Sequence, residues 1–250
     1  MSTGWLHLPL LSRLCVPFLT TLHGRLDLPG LSALVRLFPH APFVSISNGQ
    51  RLPLCDAKWC GTVYHGLPPD LFCPSYEAGS YLAFLGRLTA EKGPEDAILI
   101  ARQAGMPLRI AAKIPRREGH YFKNCLEPQI DGELIRLNGE VDDREKQGFL
   151  ANAAALLFPI DWPEPFGLVM IEAMACGTPV IAFRSGSVPE VIEDGLTGFI
   201  VDGQQEAVQA LKRLKQRDRR QVRARFEQRF TSRRMAEQCV DQNQSLLRGG

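Results

Sequence analysis

Residues 154–183 read AALLFPIDWPEPFGLVMIEAMACGTPVIAF, and they carry the clearest indication of the fold class. An apolar run at 154–158 is followed by a proline-rich loop, a helical stretch at 167–176 and a second apolar run at 179–183. Both apolar runs are continuous rather than alternating, which is typical of strands buried on both faces of a parallel sheet. The segment therefore predicts a strand, a helix and a parallel strand.

The same alternation continues on both sides of this segment. Further apolar runs bounded by turn residues predict strands at 81–86, 108–112, 134–137 and 198–201. Helical spacing predicts helices near 95–104, 119–129, 143–152, 188–194 and 204–216. We therefore predict an α/β fold in which residues 76–220 form one complete doubly wound, Rossmann-like parallel-sheet domain.

The flanking segments predict less complete units. Residues 1–75 contain three predicted strands and one helix, which we interpret as a partial N-terminal α/β domain; the strands are 16–22, 42–47 and 61–64, and the helix is 31–38. The proline-rich stretch 66–75 is predicted to be an interdomain linker. Residues 221–250 are predicted to be basic C-terminal helices.

Composition excludes several classes of protein. The chain has 250 residues, 45% of them hydrophobic and 22% charged, as in ordinary globular proteins, and its net charge of +2 gives no reason to expect a nucleic-acid partner. Residues 212–234 hold 11 Lys/Arg against two acids. We interpret this run as a solvated helix face, with peripheral contact to an anionic membrane surface as the alternative.

Cysteine usage and the N-terminal residues indicate a cytoplasmic protein. The seven cysteines are scattered, none forms a Cys-x-x-Cys pair, and the histidines do not cluster with them, so we predict reduced thiols and no metal site. The apolar stretch 5–22 is interrupted by Pro9, Arg13 and Pro17, which predicts neither a signal peptide nor a membrane span. Sequence motifs of P-loop nucleotidases, dinucleotide dehydrogenases and α/β-hydrolases are absent.

The loop after the strand at 154–158 carries the first candidate site. Glu164 lies between two prolines and is therefore in a loop, and a helix begins near Phe166–Gly167. The free N–H groups of a helix start favour phosphate, and Gly167 allows a ligand to approach the backbone. Glu172, further along the helix, suits sugar hydroxyls. The alternative is that Glu164 is a turn residue and Glu172 a surface acid.

A second candidate site follows the strand at 81–86. The sequence GRLTAEKG (86–93) places Arg87 and Lys92 between a strand and a helix. Two cations at the carboxyl edge of a parallel sheet suit a diphosphate, whose charge grows as it leaves. The alternative is a solvated basic loop.

Together these elements resemble the retaining nucleotide-sugar glycosyltransferases of the GT-B fold, family 4. The matching segments occur in the family's order: GRLTAEKG (86–93), LNGEV (137–141), the Glu-x7-Glu stretch EPFGLVMIE (164–172), EAMACGTPVIA (172–182) and GSVPEVIEDGLTGFIV (186–201). Weaker matches lie at TTLHG (20–24), VSISNGQR (44–51) and TVYHGLPPDLF (62–72).

The resemblance implies a role for each matching residue. Arg87 and Lys92, next to Gly86, would hold the diphosphate. Glu172 would hold the ribose and the loop around Val141 the base. Glu164 and the backbone at Phe166, Gly167 and Leu168 would hold the donor sugar and phosphate. His23 would face the donor sugar across the cleft, which makes His23, Glu164, Arg87 and Lys92 the candidate catalytic residues; His65 we interpret as a linker residue.

The implied activity is transfer of a sugar from a nucleoside-diphosphate sugar to a hydroxyl acceptor, with retention of configuration and without metal or cofactor. The family's N-terminal domain normally begins with a strand and a Gly-rich loop well before the first match here, so we expect a truncated relative, with self-association or a partner chain through residues 5–60 and slow turnover alone. The alternatives are a non-catalytic or split-enzyme nucleotide-sugar-binding protein, and a GT-B enzyme of another reaction such as a phosphorylase or epimerase.

Overall fold

A computed structural model describes residues 7–11, 13, 16–77, 79–214 and 218–248. These residues form two parallel β-sheets, one of three strands in the order β1-β2-β3 and one of six in the order β6-β5-β4-β7-β8-β9. The strands are β1 (Thr20–Thr21), β2 (Pro42–Ser45), β3 (Lys58–Thr62), β4 (Tyr81–Arg87), β5 (Leu108–Lys113), β6 (Ile135–Gly139), β7 (Ala153–Phe158), β8 (Val180–Phe183) and β9 (Gly198–Val201).

Helices cover both faces of the larger sheet, as predicted for a doubly wound α/β fold. Continuous apolar strands pack against one hydrophobic cluster that includes Met170 and Phe226 and another that includes Ile98 and Leu211. The helices are α1 (Leu8–Leu11), α2 (Leu31–Leu37), α3 (Pro94–Ala104), α4 (Gly119–Tyr121), α5 (Asp143–Ala151), α6 (Leu168–Ala175), α7 (Val188–Val191), α8 (Gln204–Arg213), α9 (Arg219–Arg229) and α10 (Ser232–Arg248).

The strand order reverses at β4, and this reversal positions the site. From β4 the chain proceeds through β5 to the edge strand β6, and then returns to form β7 on the other side of β4. Loops leave the carboxyl ends of β4 and β7 in opposite directions, which opens a crevice between them where parallel α/β sheets bind ligands. The two loops are those that carry the predicted motifs around Lys92 and Glu164.

Several predicted elements differ from the structure. The strand predicted at 61–64 is found at Lys58–Thr62, and the helix predicted near 188–194 ends at Val191. The strand predicted at 16–22 is only Thr20–Thr21, because Pro17 has no N–H for a sheet ladder. The helix predicted near 119–129 is split into α4, a π-helical turn at Phe122–Leu126 and a 3₁₀ turn at Glu127–Gln129, the last of which contains Pro128. The helix predicted at 204–216 ends at Arg213, and residues 215 and 216 lie outside the described part.

The basic run 212–234 is not uniformly solvated, which corrects the prediction for Arg219 and Arg223. These two side chains of α9 are 7% and 8% exposed. Arg219 donates hydrogen bonds to the carbonyl oxygens of Ser75, Ala151 and Ala153, and Arg223 to those of Pro69, Phe72 and Ala175. Guanidinium groups carry five donors, so each can satisfy several carbonyls at once and fix α9 against the larger sheet and the predicted linker. Membrane contact through the remaining residues stays a prediction, and 215–217 lie outside the described part.

The remaining N-terminal and cysteine predictions are only partly covered. Residues 1–6, 12, 14 and 15, which include Cys15 and part of the stretch 5–60, lie outside the described residues. The other six cysteines are free thiols. Within the described part of the chain, no helix has the length and apolar character needed to cross a bilayer.

Candidate functional site

A cleft of about 320 Å³ lies at the carboxyl edge of the larger sheet, between that sheet and the N-terminal segment. Its N-terminal wall consists of His23, Gly24, Arg25, Ile46 and His65. Its opposite wall consists of Arg87, Glu91, Lys92, Trp162, Glu164, Pro165, Phe166, Gly167 and Leu168. The fold therefore brings together His23, Arg87, Lys92, Glu164 and the 166–168 backbone, which the sequence had placed in one site.

An ion pair between Lys92 and Glu164 joins the two loops of the crevice. The ammonium of Lys92, which ends the 3₁₀ turn Ala90–Lys92 after β4, contacts the carboxylate of Glu164 in the loop after β7. The two side chains are only 16% and 12% exposed. The ammonium also lies 4.8 Å from the ring centroid of Trp162. At this low exposure, the mutual attraction of the charges is weakly screened by water.

The loop that carries Glu164 is supported by the turn after β8. The amide of Ser187 donates to the carbonyl of Glu164 at 3.0 Å, and the Ser187 hydroxyl donates to the carbonyl of Phe166 at 2.8 Å. Gly186 has a φ of +50°, and a Cβ at this position would lie 2.4 Å from the Glu164 amide nitrogen. Only glycine allows this approach, so residues 186 and 187 determine where Glu164 is held.

Helix α6 begins directly at the cleft. Its N-cap, Gly167, has a φ of 76° and provides no side-chain hydrogen bond to the first turn. The N–H groups at a helix start have no intrahelical acceptor, and they carry the positive end of the helix dipole. This end of α6 can therefore accept a phosphate oxygen beside Lys92.

Arg87 lies at the rim of the cleft. Its side chain is 59% exposed, and its guanidinium is 3.7 Å from the carboxylate of Glu91. A Cβ at the preceding Gly86 would meet no atom within 4 Å, so there is open space beside the backbone at the end of β4. Arg87 can therefore turn toward an anion without breaking a buried contact.

Two histidines form much of the N-terminal wall. The rings of His23 and His65 are stacked with centroids 5.2 Å apart and an interplanar angle of 18°, and the His65 ring meets Phe166 edge-on at 5.0 Å. Burial, and then the proximity of His23, lower the pKa of His65. His65 is thus part of the cleft wall, which corrects its interpretation as a linker residue. The available signal was the repeated His-Gly at a strand end, at 23–24 and 65–66.

Arg25 and Trp162 also line the cleft, and neither is among the predicted site residues. The Arg25 guanidinium contacts Asp27 at 2.7 Å, lies 3.5 Å from Glu91 on the opposite wall and stands 4.9 Å from the ring centroid of Trp162. Arg25 follows the His-Gly pair directly, but no pattern in the sequence indicates that it crosses the cleft. It adds a cation on the N-terminal side.

Glu172 and Val141 belong to the part of the chain that forms the larger sheet, but they lie outside the cleft. Glu172 forms an ion pair with Lys146 of α5 at 2.9 Å, and Lys146 also contacts Asp143 at 3.1 Å. Burial alone lowers the pKa of Lys146, but its hydrogen bond and charge contact with Glu172 outweigh this and raise it. Val141 lines a separate cavity of about 310 Å³ that also contains Arg109. A ligand held by all predicted residues must therefore extend beyond the first cleft.

Comparison with known protein families assigns the chain to one of them. Residues 74–232 match the family described as Glycosyl transferases group 1, which covers both crevice loops and α6. The chain therefore belongs to the glycosyl transferases group 1 family.

Curated relatives match mainly this region. The chain is 31% identical over 134 residues to the D-inositol 3-phosphate glycosyltransferase of Arthrobacter sp. (strain FB24), covering 51% of this chain and 32% of the relative. It is 32% identical over 182 residues to the enzyme of the same name from Mycolicibacterium smegmatis, covering 64% of this chain and 39% of the relative. The chain thus spans about a third of the length of these relatives.

Solved structures share the fold over more of the chain. HepE of Anabaena, crystallised with UDP and glucose, superposes with a TM-score of 0.76 at 20% identity, covering 92% of this chain and 72% of HepE. Sucrose-phosphate synthase from Thermosynechococcus elongatus superposes with a TM-score of 0.79 at 21% identity, covering 99% of this chain and 72% of the synthase. These similarities confirm the α/β fold with parallel sheets as that of GT-B glycosyltransferases.

Proposed function

We propose that this chain transfers a sugar from a nucleoside-diphosphate sugar to a hydroxyl acceptor with retention of configuration. The observation that carries the proposal is the partly buried Lys92–Glu164 ion pair beside the uncapped start of α6. The cation and the free N–H groups suit the diphosphate of such a donor, which leaves with negative charge. The carboxylate at the same point suits the hydroxyls of the sugar. Membership of the glycosyl transferases group 1 family supports this assignment.

In the proposed complex the donor lies along the carboxyl edge of the larger sheet. The diphosphate contacts Arg87, Lys92 and the N–H groups that follow Gly167. Glu164 accepts hydrogen bonds from the donor sugar. The nucleoside extends toward Glu172, which receives the ribose hydroxyls, and toward Val141, which contacts the base. UDP is the nucleotide to test first, because HepE and a pneumococcal O-GlcNAc transferase were both crystallised with it.

The proposed chemistry uses charge stabilisation by the protein. The bond between the anomeric carbon and the diphosphate oxygen breaks, and the acceptor oxygen forms its bond on the same face. The acceptor proton passes to the departing phosphate oxygen. Because the acceptor itself attacks the anomeric carbon, no protein nucleophile is required. Lys92, Arg87 and the α6 dipole stabilise the charge that develops on the leaving group, and this is the reason to expect no need for metal or cofactor.

On the N-terminal side, the His23–His65 stack would limit where the acceptor hydroxyl can approach. A flat wall of two rings excludes water from the reacting carbon and leaves the edge beside Arg25 open. The curated relatives named D-inositol 3-phosphate glycosyltransferase make inositol 3-phosphate a reasonable first acceptor.

The test is donor consumption with and without acceptor. UDP-, GDP- and ADP-sugars are first titrated into the chain by calorimetry, and the donor that binds is incubated with a panel of hydroxyl acceptors. We expect acceptor-dependent release of the nucleoside diphosphate, with Glu164→Gln slowed by about a hundredfold or more and Arg36→Ala, on exposed α2, unchanged. Binding without any release, in the presence of every acceptor, would instead support a non-catalytic nucleotide-sugar-binding protein.

A further inference from the structure

Glu190 of α7 links the two parts of the chain that meet at the cleft. Its carboxylate accepts hydrogen bonds from the amide nitrogens of Asn48 and Gly49, both at 2.7 Å, and from Asn48 Nδ2 and the Tyr64 hydroxyl, both at 3.0 Å. All four donors belong to the N-terminal segment, whereas Glu190 belongs to the larger domain. One carboxylate therefore carries a concentrated set of polar contacts between the two halves.

The backbone N–H groups of Asn48 and Gly49 need an acceptor outside their own helix. Gly49 begins a 3₁₀ helix at Gly49–Leu54, whose N-cap is Asn48, and this cap makes no side-chain hydrogen bond to its own helix. The N–H groups at such a start have no intrahelical acceptor, so a carboxylate with two oxygens satisfies both. Charged acceptors make hydrogen bonds roughly twice as strong as neutral ones.

The first route from Glu190 to the candidate reaction centre runs through glycines. A Cβ at Gly49 would lie 3.0 Å from the carbonyl oxygen of Gly186, so the two backbones are in close contact. Gly186 in turn packs against the backbone of Glu164. A shift of the Asn48–Gly49 turn would therefore reach the loop that carries Glu164 without any side-chain intermediate.

The second route runs through the aromatic wall. Tyr64 donates to Glu190 and directly precedes His65, whose ring stacks on His23 and meets Phe166 edge-on. The Tyr64 ring also lies 6.0 Å from that of Phe166. The position of both cleft histidines relative to α6 thus depends on where Tyr64 is held.

We propose that Glu190 is a positioning residue that sets the distance between the His23–His65 wall and the Glu164 loop, and thereby the rate of sugar transfer rather than UDP affinity. This inference rests on the proposed function. The donor contacts assigned above, Arg87, Lys92 and Glu172, all lie on the larger domain, so they remain in place when the contact to Asn48 and Gly49 is lost. The reaction, in contrast, requires both walls.

The experiment compares Glu190→Gln with Glu193→Gln. Glu193 is also partly buried and lies three residues further along the chain. It pairs with Arg225 at 3.3 Å and with Arg229 at 2.8 Å. Both partners belong to α9 rather than to the N-terminal segment, which makes Glu193 the control. A glutamine at 190 keeps the shape but offers one oxygen acceptor where two are used. We measure the UDP dissociation constant by calorimetry, kcat by donor consumption, and amide hydrogen exchange over residues 44–54.

For Glu190→Gln we expect kcat to fall by about tenfold to a hundredfold, the UDP dissociation constant to stay within about twofold, and exchange over 44–54 to accelerate. Glu193→Gln should match the wild type in all three. Unchanged exchange over 44–54, or equal losses of kcat and UDP affinity, would overturn the proposal.

A second variant and the exchange measurement cover the cases in which the main comparison cannot be made. If Glu190→Gln does not fold, Tyr64→Phe removes one of the four hydrogen bonds and should reduce kcat in the same direction by a smaller factor, and an unchanged kcat would then count against the proposal. If the wild type binds UDP but transfers no sugar, the proposed function fails, whereas the exchange comparison still decides whether Glu190 holds the two walls together.

Discussion

Lys92 and Glu164 lie on opposite sides of the strand-order reversal and are paired with each other, with side chains 16% and 12% exposed. Each is therefore neutralised by a residue from the other crevice loop. In the proposed complex, a nucleoside-diphosphate sugar brings its diphosphate charge to Lys92 and its sugar hydroxyls to Glu164. The pair is thus a preformed site whose two members can each exchange one partner for a part of the donor.

The first prediction concerns the strength of this pair. In a double-mutant cycle with Lys92→Met and Glu164→Gln, we expect a coupling in the free energy of unfolding of about 1–3 kcal/mol, because either single change leaves a poorly hydrated charge without its partner. The measurement is chemical denaturation of the four proteins. The exposed pair Arg184–Asp202, at 3.0 Å with side chains 55% and 64% exposed, is the control, and we expect a coupling of about 0–1 kcal/mol there. Equal couplings would contradict the account.

A second prediction concerns Arg87. Its replacement by alanine should weaken UDP binding by about tenfold to a hundredfold and leave uridine binding nearly unchanged, because charge-assisted contacts to phosphate contribute about 1.5–3 kcal/mol each. Calorimetry with the two ligands measures this difference. Arg36, 70% exposed and paired with Asp56 at 3.3 Å, is the matched control. Equal losses for UDP and uridine would exclude a phosphate role for Arg87.

The support of the Glu164 loop gives a third prediction. Gly186→Ala places a methyl group against the Glu164 backbone, so it should displace the loop and weaken donor binding by more than about tenfold. The control is Gly195→Ala: Gly195 also has a positive φ, of +76°, but a Cβ there meets no atom within 4 Å. Both variants should lose about 1–2 kcal/mol of stability from the left-handed backbone, and only Gly186→Ala should also lose donor affinity. Normal donor affinity in Gly186→Ala would show that the turn does not hold the loop.

The half-buried His65 gives a pH-dependent prediction. Burial and the neighbouring His23 lower the pKa of His65 in the folded chain, so between that value and the ordinary value near 6.5 the unfolded state binds more protons. The free energy of unfolding should therefore decrease as the pH falls through this window. Denaturation at about pH 7.5 and about pH 5.5 should show a smaller decrease for His65→Asn than for the wild type.

His40→Asn controls for the loss of a histidine as such, because His40 is exposed. The decrease in His65→Asn is compared with the decrease in this variant. An identical decrease in His65→Asn and the wild type would show that His65 is not the group that responds.

The sequence allowed the larger sheet to be predicted because its strands are continuous apolar runs. The run predicted at 198–201 matches β9, and those at 81–86 and 154–158 differ from β4 and β7 by one residue. The cleft residues that follow these strands could be predicted for the same reason, since the carboxyl ends of parallel strands meet at one edge.

What could not be predicted depends on contacts between distant parts of the chain. Arg219 looks solvent-exposed in a basic run, but it is buried because carbonyl groups from two separate segments, at Ser75 and at Ala151–Ala153, converge on it. His65 looks like a linker residue because its partners His23 and Phe166 are distant in sequence. Glu190 is one acid in a turn-rich stretch, and its donors lie in the other half of the chain.

Nuclear magnetic resonance of the reaction product distinguishes sugar transfer with retention from transfer with inversion. The chain is incubated with the α-linked nucleotide sugar that binds it and with the acceptor that accelerates nucleotide release, and the anomeric coupling of the new glycoside is recorded. We predict an α-linked product whose amount equals that of the nucleoside diphosphate released. This product should be lost in Glu164→Gln. A β-linked product, or a donor that stays intact with every acceptor although it binds at the cleft, would contradict it.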